Sequence, residues 1–287
     1  MSSDDGRKED TSVSGPGRIP SDIPFFLGIG GLALCYTCLI TALVLANMTA
    51  IEWQDLLGMW YNPDIHASIR LTFLTCSVSA ILSILCAVPI GYLLSRFRFP
   101  GRAVIDAVLD IPIVLPPLVV GLSLLILFNK VPFAGGSLEK WLNDHGMMVT
   151  FAIPAIILAQ FTVATAFAIR VVKNTFDQID HRSEQVAMTL GCNRSGAFWN
   201  VALPQAGQGL VAAGVLAWAR ALGEFGPILV FAGATRGRTE VLATSVFLEI
   251  NIGNLGGAAA VSLLMIILAL GLISLIRFIT RSKTPFL

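Results

Sequence analysis

Apolar runs long enough to cross a bilayer alternate along this chain with short polar connections. A span needs about 20 apolar residues, each advancing the helix by ~1.5 Å. Six runs meet that length, at 23–47, 69–94, 103–128, 148–172, 206–232 and 256–279. The pattern predicts an all-α membrane protein built as a bundle of six transmembrane helices over 23–287. Residues 1–22, rich in Ser, Asp, Gly and Pro, read as a disordered tail. That tail is longer than the charged region of a cleaved signal sequence, so the first helix is expected to stay.

Two connections carry amphipathic pieces. Trp53, Leu56, Leu57 and Trp60 recur at helical spacing within 48–68. In 129–147, Ser137 is placed to cap a turn that Gly146 ends, with Leu138, Trp141 and Leu142 on one face. Trp on such a face suits the lipid headgroup level, so both pieces are expected to be interfacial anchors.

Composition supports the membrane reading. Hydrophobic residues make up 55% of the 287 and charged residues 13%, and the mean hydropathy is +0.78. A soluble domain of this size could not hide so much apolar surface. With a net charge of +1 and no basic run, nothing points to nucleic acid. The five cysteines and three histidines form no metal-ligand pattern, and Cys35 and Cys38 lie in an apolar run where packing explains them.

Charge placement orients the chain. Thirteen Lys and Arg fall in the tail, in 95–102, in 170–205 or at the C-terminal end, and four (Lys130, Lys140, Arg236, Arg238) fall on the other side. Both termini and the connection at 173–205 are therefore expected to be cytoplasmic.

That connection is patterned. Asp180 or Ser183 can start a helix that Gly191 ends, with Val186, Ala187 and Leu190 sharing a face. A second short helix with Phe198 and Val201 is expected before Pro204 opens the fifth span. The product is a helix–turn–helix with an apolar face that no lipid covers, and such a face usually meets another protein.

The same residues resemble the "EAA" loop of inner-membrane permeases of binding-protein-dependent ABC importers. Gln185-Val186-Ala187 is followed by three residues and Gly191, then by nine residues and Val201-Ala202-Leu203-Pro204. Gln185 stands where that family usually has Glu, Val186 where it has Ala, and Val201 where it has Ile; Glu184 offers a carboxylate one position early. The resemblance implies a type I importer permease fold. It also implies that Glu184, Gln185, Ala187, Leu190, Gly191, Leu203 and Pro204 dock on a separate ATP-binding subunit. ATP and Mg would then belong to that subunit, and this chain holds no cofactor or metal and does no catalysis. No Gly-Lys pair occurs in the sequence, so it has no phosphate-cradling loop of its own. Further implied partners are an extracytoplasmic substrate-binding protein, a second permease copy (identical or related) and membrane lipid, with a bacterial inner-membrane location.

Ionisable residues inside a span are expensive, at ~2.5–3.5 kcal/mol on insertion scales, and ask for a role. Arg220 and Glu224, four residues apart in "RALGEFGP", are placed to pair, and Gly223, Gly226 and Pro227 permit close packing and a helix break. Pro116 and Pro117 interrupt the third run, and such breaks survive only where protein or a watery cavity surrounds them. Arg220, Gly223, Glu224, Pro116 and Pro117 are thus candidates for the pathway or its gate; an ion pair or kink that serves packing alone is the alternative. "LGEFG" and "VFAG" resemble the family branch that carries molybdate, tungstate and sulfate. A proton-coupled secondary transporter using Glu224 and Arg220 is the competing class.

Overall fold

The structure, a computed structural model, describes residues 23–133 and 136–281. The expected tail at 1–22 lies outside the described residues. By its contacts the chain divides into two units, 1–46 and 47–287.

In the first unit α1 (Ile23–Thr49) begins; it is apolar over its whole length, and none of its most apolar window is buried.

The second unit is organised around α3 (Pro63–Arg96), α7 (Ile153–Gln178) and α10 (Leu203–Leu222). Their shared core is made mainly of small side chains, among them Cys76, Ala80, Ala164, Ala168, Ala213 and Ala217. Lipid offers helices no hydrophobic drive to associate, so close backbone approach through small residues supplies the contact. Gly91 shows how close: a Cβ there would lie 2.8 Å from Val172 Cγ1 and 3.0 Å from the Lys173 nitrogen. Some buried polar groups are paired across these helices. Gln160 accepts from Ser79 Oγ at 3.2 Å and donates to the Ala221 carbonyl in the last turn of α10 at 3.3 Å.

The third apolar run is not one span. It forms α4 (Arg102–Val114) and α5 (Pro117–Lys130), bent by 112°. Pro116 and Pro117 have no N–H to continue the ladder, so Leu115 closes α4 by donating to Ile111 and Val119 opens α5 by donating to Pro116. α4 is held to α7 by charge: Arg170 pairs with Asp110 and, at 3.3 Å, with Asp106, and Lys173 reaches Asp106 at 2.9 Å.

The fifth run also departs from expectation. One continuous helix runs from Arg194 to Leu222, made of α9 (Arg194–Ala197), a π turn (Phe198–Ala202) and α10. Pro204 therefore does not open a separate helix. The π turn routes the Leu203 N–H to Phe198 O, and this wider turn gives room where the Pro204 ring would crowd the preceding carbonyls. The helix ends at Leu222, and the rest of that run is a short α11 (Gly226–Phe231). A further helix, α12 (Leu242–Asn251), ten residues long, lies within the predicted loop at 233–255 before α13 (Leu255–Arg281). Five described helices are long and apolar enough to span, and six spans result when α4 and α5 are counted as one.

The amphipathic pieces form as α2 (Trp53–Tyr61) and α6 (Leu138–Asp144). Trp53 and Trp60 of α2 are exposed. In α6 the Ser137 cap accepts from the Lys140 N–H at 3.2 Å, but Leu138 and Leu142 pack on the protein core rather than on an outer surface. A two-residue ladder, β1 (Pro132–Phe133) with β2 (Gly136–Ser137), leads into α6.

Candidate functional site

The connecting hairpin is built by its caps. Asp180 accepts from the Arg182 N–H at 2.9 Å and starts α8 (His181–Thr189). Gly191, at φ 97°, lies just beyond its end in a conformation that side chains resist. Asn193 then accepts from the Gly196 N–H at 2.7 Å and starts α9. Along this hairpin Gln185, Val186, Met188, Leu190 and Trp199 are exposed, with Leu190 at 81%. Ala187 and Leu203 are half-buried, and Pro204 is exposed. Phe198 turns inward, edge-on to Tyr92 at 4.7 Å.

Glu184 does not share the exposed face. Its side chain is 9% exposed and is paired with Arg96 at 2.7 Å, so it is no surface substitute for the carboxylate that Gln185 lacks. The helix period explains this: one residue of offset turns a side chain by about 100°. Tyr92 and Arg96, one turn apart on α3, held the sequence signal for this pair, but nothing in sequence says which distant acid they meet.

The second set of candidates converges. Pro116, Pro117, Arg220, Gly223 and Glu224 line one cavity of ≈ 340 Å³, together with Leu118, Phe225 and Gly226. Arg220 Nη1 lies 2.5 Å from Glu224 Oε1 and its guanidinium lies 5.3 Å from the Phe167 ring. Glu224 itself is 1% exposed, and its Oε1 has no aligned hydrogen bond, so the contact is ionic only. Tight packing comes from Gly226, where a Cβ would lie 3.0 Å from Pro117 Cβ, and from Gly121, where one would lie 2.7 Å from Pro227 Cα. Gly223 has no such neighbour and instead leaves the cavity wall open. Arg70, the other basic residue near a span, is exposed on α3 and is not among the residues lining the cavity.

A bundle with a broken span and a capped connecting hairpin fits a known architecture. The profile of the family described as the inner membrane component of binding-protein-dependent transport systems matches residues 87–284. The chain belongs to that family. Over 257 residues, 88% of its length, this permease is 31% identical to the sulfate transport system permease protein CysT of Escherichia coli K12, covering 91% of that relative. It is 34% identical to the molybdenum transport system permease protein ModB of the same strain over 211 residues, 72% of this chain and 90% of that one. The molybdate/tungstate permease protein WtpB of Thermococcus kodakarensis is 28% identical over 90% of this chain and 96% of its own. Among solved structures, a bacterial alginate ABC transporter in complex with an alginate pentasaccharide-bound periplasmic protein superposes with a TM-score of 0.73 at 15% identity. That match covers 92% of this permease and 97% of the other chain. The fold is that of a type I importer permease. These relatives are permease subunits rather than enzymes, in keeping with the non-enzymatic role expected from sequence.

Proposed function

We propose that this permease is the membrane subunit of an ATP-driven importer for a tetrahedral oxyanion, molybdate foremost, with sulfate and tungstate as the other members of the class. One observation carries the cargo class: relatives named for sulfate, molybdenum and molybdate/tungstate transport align over most of the chain at 28–34% identity. The bare apolar face of the hairpin supports docking of residues 184–204 on a separate ATP-hydrolysing subunit, which holds ATP and Mg. An extracytoplasmic binding protein delivers the anion, and two permease copies enclose the path, with both termini on the cytoplasmic side. The cavity at Arg220 and Glu224 lines or gates that path. Family membership disfavours the proton-coupled alternative.

Proteoliposomes holding the permease, its ATPase and its binding protein test the reading. Uptake of radiolabelled molybdate or sulfate is expected to need ATP and to survive a proton ionophore. Ala187→Arg is expected to abolish co-purification of the ATPase while leaving membrane insertion intact. Transport of a sugar or amino acid without oxyanion uptake overturns the cargo, and uptake driven by a proton gradient alone overturns the class.

A further inference from the structure

α8 is bare almost all round. Glu184 is its one buried residue, and both oxygens of that carboxylate are engaged by α3. Arg96 Nε donates to Oε1 at 2.7 Å and the Tyr92 hydroxyl donates to Oε2 at 2.6 Å. The guanidinium is itself fixed: Nη2 donates to the Ile179 carbonyl at 3.1 Å, and Nη1 lies 3.1 Å from His181 Nε2. Arg96 is 4% exposed at its side chain. A charged pair placed out of water, with a second hydrogen bond on the acid and two contacts on the base, resists shear far better than an apolar contact, because partial separation leaves a desolvated charge unpaired.

Three mechanical links therefore leave α8. Two are covalent: back through Ile179 and Asp180 into α7, and on through α9 and the π turn into α10. The third reaches α3 through Glu184. The outward residues of the same helix (Gln185, Val186, Met188 and Leu190) are exposed.

We infer that Glu184, Arg96 and Tyr92 are positioning residues that carry the displacement of α8 into α3, so that substrate passage stays tied to ATP hydrolysis. They do not contact the ATPase. The inference rests on the proposed docking of this hairpin on an ATPase and adds what the buried side of the same helix does. Without the cluster α8 can still bind its partner through its exposed face, but its motion reaches the bundle only through the chain on either side, at α7 and α10, and hydrolysis proceeds without matched displacement of α3.

The test is the ratio of oxyanion molecules imported to ATP hydrolysed, in proteoliposomes holding the full importer. Glu184→Gln keeps size and one acceptor but removes the charge; Tyr92→Phe keeps the ring packing and removes one bond. For Glu184→Gln the ratio is expected to fall roughly fivefold or more, with stoichiometric ATPase co-purification and undiminished hydrolysis. Tyr92→Phe is expected to show a smaller fall of the same kind and serves as the readout if Glu184→Gln does not assemble. Lost hydrolysis and lost uptake in equal proportion, or an unchanged ratio in Tyr92→Phe and in an assembled Glu184→Gln, overturns the inference and leaves the cluster a packing feature. Failure of the unmutated permease to retain an ATPase would instead defeat the docking proposal.

Discussion

Arg96–Glu184 and Arg220–Glu224 share the same chemistry and nearly the same separation, 2.7 and 2.5 Å, but their surroundings differ. At the first pair both carboxylate oxygens accept aligned hydrogen bonds and both side chains are shut from solvent. At the second, the acid is buried with an oxygen lacking any hydrogen bond, and Arg220, 30% exposed, borders a cavity. A fully satisfied pair specifies one arrangement of its two helices. A half-satisfied pair beside open space tolerates several, because a water or an anion entering the cavity can replace one partner.

Breaking the closed pair is expected to have the largest effect. Arg96→Ala leaves Glu184 buried without a counter-charge, and loss of about 3–5 kcal/mol is expected for such a site, read as a fall in the melting midpoint of the detergent-solubilised permease. Arg220→Ala is the matching change at the open pair. Removing the Arg220 side chain opens the neighbouring cavity onto Glu224, so a smaller loss of about 1–3 kcal/mol is expected, accompanied by impaired uptake. If the two losses prove equal, the contrast between the pairs is wrong.

A third buried carboxylate sharpens the comparison at the low end. Glu240, in the connection before α12, accepts from Ser245 at 2.7 Å and forms no ion pair among the described residues. Burial, first, holds its carboxyl above the usual value near 4.5, while the Ser245 hydrogen bond and Arg236 oppose that shift. The folded state thus binds the proton more tightly than the unfolded chain. Stability from this group is greatest below pH 4.5, falls as pH rises above 4.5 and levels off once the folded carboxyl has ionised. Glu240→Gln is expected to flatten that slope in melting curves taken from acid to neutral pH, with little change in uptake.

The sequence pattern placed the long spans well because hydropathy reports which residues avoid water. It does not report direction. Pro116 and Pro117 announced a break, but the 112° bend depends on α7 receiving α4 through Asp106, Asp110, Arg170 and Lys173, whose pairing joins residues about sixty positions apart. Asp106, Asp110 and Arg170 were visible inside predicted spans and Lys173 just past the end of one, spaced four apart on one helix and three apart on the other, and their complementarity was the signal missed. α12 escaped notice because ten residues are too short for a span and no Pro or Gly marks its start. For the hairpin, the caps at Asp180 and Gly191 were legible as local chemistry. The inward turn of Glu184 was not, since it depends on Arg96, eighty-eight positions away.

The unbroken helix from Arg194 to Leu222 has a consequence for distance. Its 29 residues, at about 1.5 Å each, make a pushrod roughly 43 Å long. One end stands beside the bare hairpin surface, and the other stops two residues short of Glu224. A tilt applied at the first end needs no relay of side chains to arrive at the second, and the π turn is where such a rod has play.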